Sequence, residues 1–536
     1  MISIVRTVLI ALTATMFVFV TPARAEWRRA ESPNFIVYSQ GSERALRRYV
    51  RNLEIYDFIL RARMGLPPAT AGRKLPIYLV NGRPGLLQIN PDSGENVAGT
   101  YFPAGEDIFA AAIQDREQDT LLHEYFHHFS LQISTTSGYP AWLIEGLAEY
   151  FMTAEISETW VRVGGYNEGR AYELFSFSWV PLEDLVTKRI SEVRGPSRDS
   201  YYPVAWLMTH WFMSDDARRQ QLAAYIRDVQ QGEDSVAAME RATGLTMNQI
   251  RLQLRRYRRL TINRYMATIP ETPITVTRLP ASADDLLLLG QRLKIGVAED
   301  KHTETADLVR RLAARHPDDP FAMLQLGRAE LHFGDPEAGE AVLTRLLERE
   351  PDNVEALQLM ATRLMRLAEE RPDETLSLMR RARSYLGRAY RADPAQFHTL
   401  HLLAETRQVE TDYPTENDLV TWDQAFRFAP QLSSIRLGYA NALMDAEEFD
   451  EAVAVLQPLA NAAHGGPAAE MAMQIIERAR SRRPPPSAGD LEGASAQYGD
   501  EDADEGVDAG EDTPPPAPLD QRIGHHASRR RESRRS

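Results

Sequence analysis

Apolar positions follow two different periods in the first half of this chain. Phe35-Ile36-Val37-Tyr38 is a short apolar run and reads as a strand. Over residues 42–62, Leu46, Tyr49, Val50, Leu53, Tyr56 and Leu60 recur at helical spacing and predict an amphipathic helix. Ile77-Tyr78-Leu79-Val80 predicts a second strand. Val97 to Phe102 and Ile108 to Ile113 predict two more, joined by a turn at Pro103-Ala104-Gly105. From there the pattern is helical to about Tyr265. Tyr201-Tyr202-Pro203 opens one of these helices, with proline in its first turn, and the helix continues through Trp206 to Phe212. Residues 26–266 are therefore expected to form one α+β unit, a small sheet followed by helices.

The second half is helical by pattern. Residues 267–285, with Pro270, Pro273 and Pro280, are expected to be a linker. Beyond it, Pro317, Pro351, Pro394 and Pro430 each close a helical segment, at spacings of 34, 43 and 36 residues. The first spacing, together with Leu326-Gly327, Leu343, Leu346 and Pro351, resembles the tetratricopeptide repeat. Gly339 stands where that repeat usually has alanine. Ala440, Ala452 and Leu456 mark a later degenerate copy, and an insertion is expected near residues 365–385. Residues 286–480 are thus expected to be an all-α, tetratricopeptide-like solenoid of four or so stacked helix pairs. Such a stack has a concave face. That face would bind a protein partner, or the stack would simply support the first unit, and both readings stay open.

The two ends differ from the rest. Arg6, an apolar run from Thr7 to Val20 and the small-x-small Ala23-Arg24-Ala25 predict a signal peptide over residues 1–25, hence export to the periplasm or beyond. The run is short for a membrane span, and no later segment is long and apolar enough to cross a bilayer. Residues 481–536 carry two proline triplets, ten acidic and no basic residues between Asp490 and Asp512, and an arginine-rich end. This tail is expected to be disordered. The net charge of −15 argues against nucleic-acid binding. The chain has no cysteine, which excludes disulfides, thiol catalysis and cysteine-ligated metal. Any metal must rest on histidine and carboxylate.

One stretch offers that chemistry. His123-Glu124-Tyr125-Phe126-His127 is an H-E-x-x-H sequence, which puts two histidines on one helix face. Both imidazoles would reach one Zn²⁺, and Glu124 between them would take a proton from water. A catalytic zinc site needs a third protein ligand. Glu145 is the natural candidate, with seventeen residues between it and His127. Glu149, one turn later, would hydrogen-bond the far nitrogen of a ligand histidine. Leu121, Leu122, Tyr125, Phe126 and Phe129 make this helix apolar, where two histidines and a glutamate would be costly without a partner such as a metal. The plainer alternative is a set of satisfied core side chains. His128 points away from the pair and is expected to be structural or exposed. His210 is expected to be a core residue.

The run from Thr120 to Phe129, followed by Trp142-Leu143, Glu145-Gly146 and Ala148, resembles the gluzincin metallopeptidases of the thermolysin and aminopeptidase N type. The likeness is strong over about thirty residues. A looser likeness, to an uncharacterised group of bacterial peptidase-like proteins that often carry helical repeats, extends to residue 260. The resemblance implies a zincin-like fold, zinc on His123, His127 and Glu145, and Glu124 as general base. The spacing is one residue short of the aminopeptidase value, a small difference in loop length. It also implies a sheet edge that pairs with an extended peptide substrate. Tyr202 is the candidate to hold the developing oxyanion, or else a core tyrosine. No aminopeptidase N-terminal-recognition motif is found. Two functions follow: an exported zinc peptidase acting on a peptide or protein substrate, or a partner-binding repeat scaffold with a structural or vestigial zinc site. Zinc-dependent hydrolysis of another bond is a third reading.

Overall fold

In a computed structural model, residues 26–482 are described, apart from 68–72, 96, 115–118, 134–138, 158, 258–259, 267–270 and 463–464. The expected signal peptide and the tail from residue 483 lie outside the described residues.

A six-stranded sheet organises the first half. Its strands are β1 (Arg28–Glu31), β2 (Phe35–Ser39), β3 (Leu75–Val80), β4 (Gly99–Pro103), β5 (Ile108–Ile113) and β9 (Thr275–Arg278), in the order β4-β5-β3-β2-β1-β9. Strands β2, β3 and β5 run parallel, and the remaining pairs are antiparallel. Alternation decides which core each residue of β3 joins. Ile77 and Leu79 enter the larger core. Tyr78 and Val80 enter a second core on the opposite face. The larger core is roofed by α1 (Glu43–Arg63), which buries Leu46, Val50, Leu53, Tyr56 and Leu60. These are positions that its periodicity marks. The opposite face is covered by α2 (Arg83–Ile89), through Leu86 and Ile89.

Helices α3 (Asp119–Ile133) and α4 (Ala141–Met152) follow the sheet. The stretch expected to be wholly helical to Tyr265 also holds a three-stranded antiparallel sheet of β6 (Glu155–Ile156), β7 (Trp160–Val163) and β8 (Asn263–Met266). Strands this short carry too few residues to display a period. Between them lie α5 (Glu168–Ser176), α6 (Leu182–Thr187), α7 (Tyr201–Met213), α8 (Asp216–Gln230), α9 (Ser235–Thr243) and α10 (Met247–Arg256).

The expected linker is more than a linker. Within 267–285, β9 pairs with β1, and Leu279 N–H donates to the Trp27 carbonyl oxygen. Helix α11 (Ala283–Ile295) then lays Ala283, Leu287 and Leu288 against Trp27, Tyr78 and Phe109 on the back of the sheet. Three prolines and exposed polar residues hide this from a sequence reading, because the pairing is made by residues some 250 positions away.

The repeat region continues with α12 (His302–Ala313), α13 (Pro320–Phe333), α14 (Pro336–Arg349), α15 (Val354–Glu370), α16 (Thr375–Ala392), α17 (Phe397–Arg407), α18 (Glu416–Phe428), α19 (Ser433–Asp445), α20 (Phe449–Ala460) and α21 (Pro467–Arg480). Each of the four spaced prolines falls between two helices. The expected insertion is absorbed as helix length, since α15 and α16 have 17 and 18 residues where α13 and α14 have 14 each. The first unit and the repeats are packed together. Phe397, Trp422, Leu443 and Ile475 belong to the same apolar core as the residues of α1, α3 and α7. Among the described residues no helix is long and apolar enough to cross a membrane.

Candidate metal centre

Helices α3 and α4 bring the candidate ligands together. His123 and His127, one turn apart on α3, turn their Nε2 atoms to within 3.0 Å of each other. Glu145 Oε2 on α4 is 3.5 Å from both. A tetrahedral zinc with bonds of about 2.05 Å would have ligand–ligand edges of about 3.3 Å. The three atoms fit that triangle. Among the described residues this is the group of histidine and acidic side chains whose ligand atoms converge in this way. Glu145 and His123 are buried, while His127 keeps 18% of its side chain exposed, which leaves an approach from one side.

The glycine after Glu145 makes the geometry possible. A Cβ at Gly146 would lie 2.7 Å from the Ala205 carbonyl oxygen and 2.2 Å from Thr209 Oγ1. Only glycine lets α7 pack so closely on α4, and α7 carries Tyr202.

Glu149 Oε1 stands 3.5 Å from His123 Nδ1, the nitrogen that the metal would not use. That is the position expected of it from sequence. Its carboxylate is also gripped by Arg170 on α5, whose Nε lies 3.1 and 3.2 Å from the two oxygens and whose Nη2 lies 3.0 Å from Oε1. The same guanidinium covers the Tyr202 ring at 4.8 Å. Arg170 has no counterpart in the sequence reading. It lies on a short helix with no periodic signal, forty-three residues beyond His127.

The electrostatics favour a cation. Burial pushes the His127 imidazole down, but the carboxylates of Glu145, Glu124 and Glu149 outweigh it and lift it to about 9. Glu124 is buried beside these groups. Tyr202 is buried with its ring 6.5 Å from that of His123. Burial, reinforced by Glu145, holds its phenol well above the ordinary value, so the hydroxyl stays protonated and able to donate.

Two further histidines, His128 and His210, lie elsewhere. His128 faces away from the ligand pair, with Nδ1 2.9 Å from the Tyr101 hydroxyl on β4 and 3.2 Å from the Gln431 amide nitrogen. Burial, with Arg73 nearby, pushes it down to about 3, so it stays neutral. His210 is buried, with its ring nitrogens 2.9 Å from the Tyr257 hydroxyl and 3.0 Å from the Gly164 carbonyl oxygen. Gln431, in the turn between α18 and α19, joins the repeats to the helix that bears the ligands.

Residues 118–233, which include the whole cluster, match a family described as a protein of unknown function (DUF1570). Residues 297–363 match the tetratricopeptide repeat. No curated protein matches this chain. Among solved structures, it is similar to a thermophilic TPR protein from Thermus thermophilus, with 20% identity and a TM-score of 0.29. That match covers 38% of this chain and 98% of the other. The family match places the tetratricopeptide pattern, a module suited to protein–protein contact, at residues 297–363 of the second half.

Proposed function

We propose that this chain is an exported zinc-dependent hydrolase of peptide bonds, held against a repeat region that takes a protein partner. The observation that carries this reading is the triangle of His123, His127 and Glu145, with edges of 3.0 and 3.5 Å. The triangle is all nitrogen and carboxylate, in an anionic pocket, as a zinc site without cysteine requires. His123, His127 and Glu145 would hold Zn²⁺, which when bound lowers the pKa of water and polarises a carbonyl.

The chain's own groups do the rest. Glu124 would accept a proton from the attacking water and return it to the leaving amine. Tyr202 would donate its hydroxyl proton in a hydrogen bond to the oxygen that gains charge. Glu149, itself fixed by Arg170, would hold the His123 ring by its Nδ1–H and keep Nε2 free to act as ligand. Export rests on the signal-like residues 1–25 alone.

A second reading is favoured by the comparisons. The matched module of known role is the tetratricopeptide repeat, and the family matched across the site has no described activity. On that reading the repeats do the work and the metal site is structural or vestigial. One experiment separates the two. Casein hydrolysis is measured for the natural chain and for Glu124→Gln at equal zinc occupancy. The peptidase reading expects the variant to lose about 10²–10⁴-fold in rate while keeping zinc and thermal midpoint. Equal, non-zero rates would sink the mechanism. No hydrolysis by either form would leave the scaffold reading.

A further inference from the structure

The repeats already hold an acidic turn of the chain itself. The β4–β5 turn places Glu106 and Asp107 against the inner helices. Glu106 meets Arg328 Nε at 3.0 Å and His332 Nε2 at 3.1 Å. Asp107 meets Lys294 at 3.1 Å and Arg73 at 2.5 Å. Glu355 completes the set, at 3.2 Å from Lys294 and 2.6 Å from Arg328. Beside this contact lies a cavity of about 670 Å³ that shares Glu106 and Lys294 with it. Its walls include Phe102 from β4, His332 and Phe333 from α13, Arg366 from α15, and Leu432 and Leu437 at the start of α19. That volume falls in the range of ligand sites, about 300–1,000 Å³.

The charges around the cavity do not balance. Arg73, Lys294 and Arg328 pair with the carboxylates of Glu106, Asp107 and Glu355, three against three, while Arg366 in the cavity wall is a fourth cation outside that network. The surplus belongs to Arg366. Its guanidinium lies 3.0 Å from the Leu331 carbonyl oxygen and 2.6 Å from His332 Nδ1, and makes no ion pair among the described residues. A guanidinium is suited to a planar carboxylate. Apolar walls on either side suit aliphatic neighbours.

We propose that this cavity binds an extended peptide segment of a protein partner, with the carboxylate of one acidic side chain on Arg366 and apolar neighbours on Phe333, Leu432 and Leu437. The occupant extends the mode of contact that Glu106 and Asp107 already make with the same helices. Nothing in it depends on zinc or on peptide cleavage.

The test uses calorimetric titration of the full chain carrying Glu124→Gln, so that no probe is consumed. The probe is an acetylated, amidated heptapeptide whose only carboxylate is a glutamate between two leucines. Its control has glutamine in that place. The glutamate peptide should bind at least tenfold more tightly. Arg366→Gln should abolish the difference, and Arg366→Lys should keep part of it, with thermal midpoints checked for each. Leu437→Glu, at a half-buried site in the wall, should repel the glutamate peptide while leaving the fold in place. Equal affinity for both peptides, binding of neither, or a preference that survives Arg366→Gln overturns the proposal.

Discussion

Gly146→Ala should disturb the metal centre while adding only one methyl group. In an open helix the change would add about 1 kcal/mol of stability. Here the new Cβ would meet Thr209 Oγ1 at 2.2 Å and the Ala205 carbonyl oxygen at 2.7 Å, where ordinary contact begins at 3.4 Å. The Thr209 side chain has some freedom to turn, but the Ala205 oxygen is helix backbone. Helix α7 must therefore retreat from α4 by roughly 0.7 Å in a close-packed core. Overpacking of this kind costs about 1–3 kcal/mol, and a backbone neighbour puts the cost at the upper end. The net loss is then about 1–2 kcal/mol, a fall of about 1–4 °C in thermal midpoint for a unit of this size. Glu145 is the next residue and moves with the helix, so zinc affinity should fall about 10–100-fold, as when the support of a ligand is disturbed. Chelator competition gives the affinity and thermal unfolding of the metal-free chain gives the midpoint. Thr209→Ala in the same chain should restore part of the loss, because it removes the shorter contact and leaves the longer. A raised midpoint with unchanged zinc affinity would refute the account of this helix pair.

Other outcomes follow from the same geometry. His127→Ala should abolish zinc binding and His128→Ala should leave it intact, as read by metal content; equal loss in both would overturn the ligand set. Arg170→Met leaves the buried Glu149 carboxylate without its bidentate partner, so zinc affinity should fall about 10–100-fold and the Glu149→Gln/Arg170→Met double variant should regain midpoint; full affinity in Arg170→Met would show that Glu149 needs no support. Burial pushes His398 down to about 4. Below the unfolded value near 6.5 the unfolded chain binds a proton that the folded chain refuses, so stability falls with pH from there to about 4, by up to about 1.4 kcal/mol per pH unit. His398→Gln should lower that slope in denaturant titrations, leaving the share that the buried His128 contributes, and an unchanged slope would put the linkage elsewhere.

The parts of the fold legible in the sequence are those where one element carries its own pattern. Helix α1 shows its buried stripe over five turns, and β3 and β5 are continuous apolar runs because both faces of the sheet are covered. By contrast, β1 is Arg-Arg-Ala-Glu and buries only Ala30, and β9 buries none of its four residues. These strands exist through their partners. The same division holds at the site. His123, His127, Glu145 and Glu149 announce themselves by helical spacing on two adjacent helices. Arg170 and Gln431 reach the site from other segments, and only the packing of those segments reveals them. The four prolines each fall in a gap between helices, but the extra residues between Pro351 and Pro394 are hidden as longer helices.

The sheet draws its strands from both ends of the first half, with β1 between β2 and the outer strand β9. For a chain made or threaded N-terminus first, this sets an order of events. Strands β1 to β5 come early, yet β1 keeps a raw edge until residue 278 has emerged. Closing that edge requires a loop of roughly 250 residues, a contact of high sequence separation and therefore slow to form. Until then the outer strand is β1, which is built to have a partner on each side, in place of the exposed, polar β9, and such an unpaired edge recruits chaperones or invites aggregation. A truncation that stops before Thr275 would stay in that state permanently. It should be recovered as aggregate even though it contains every residue of the metal centre.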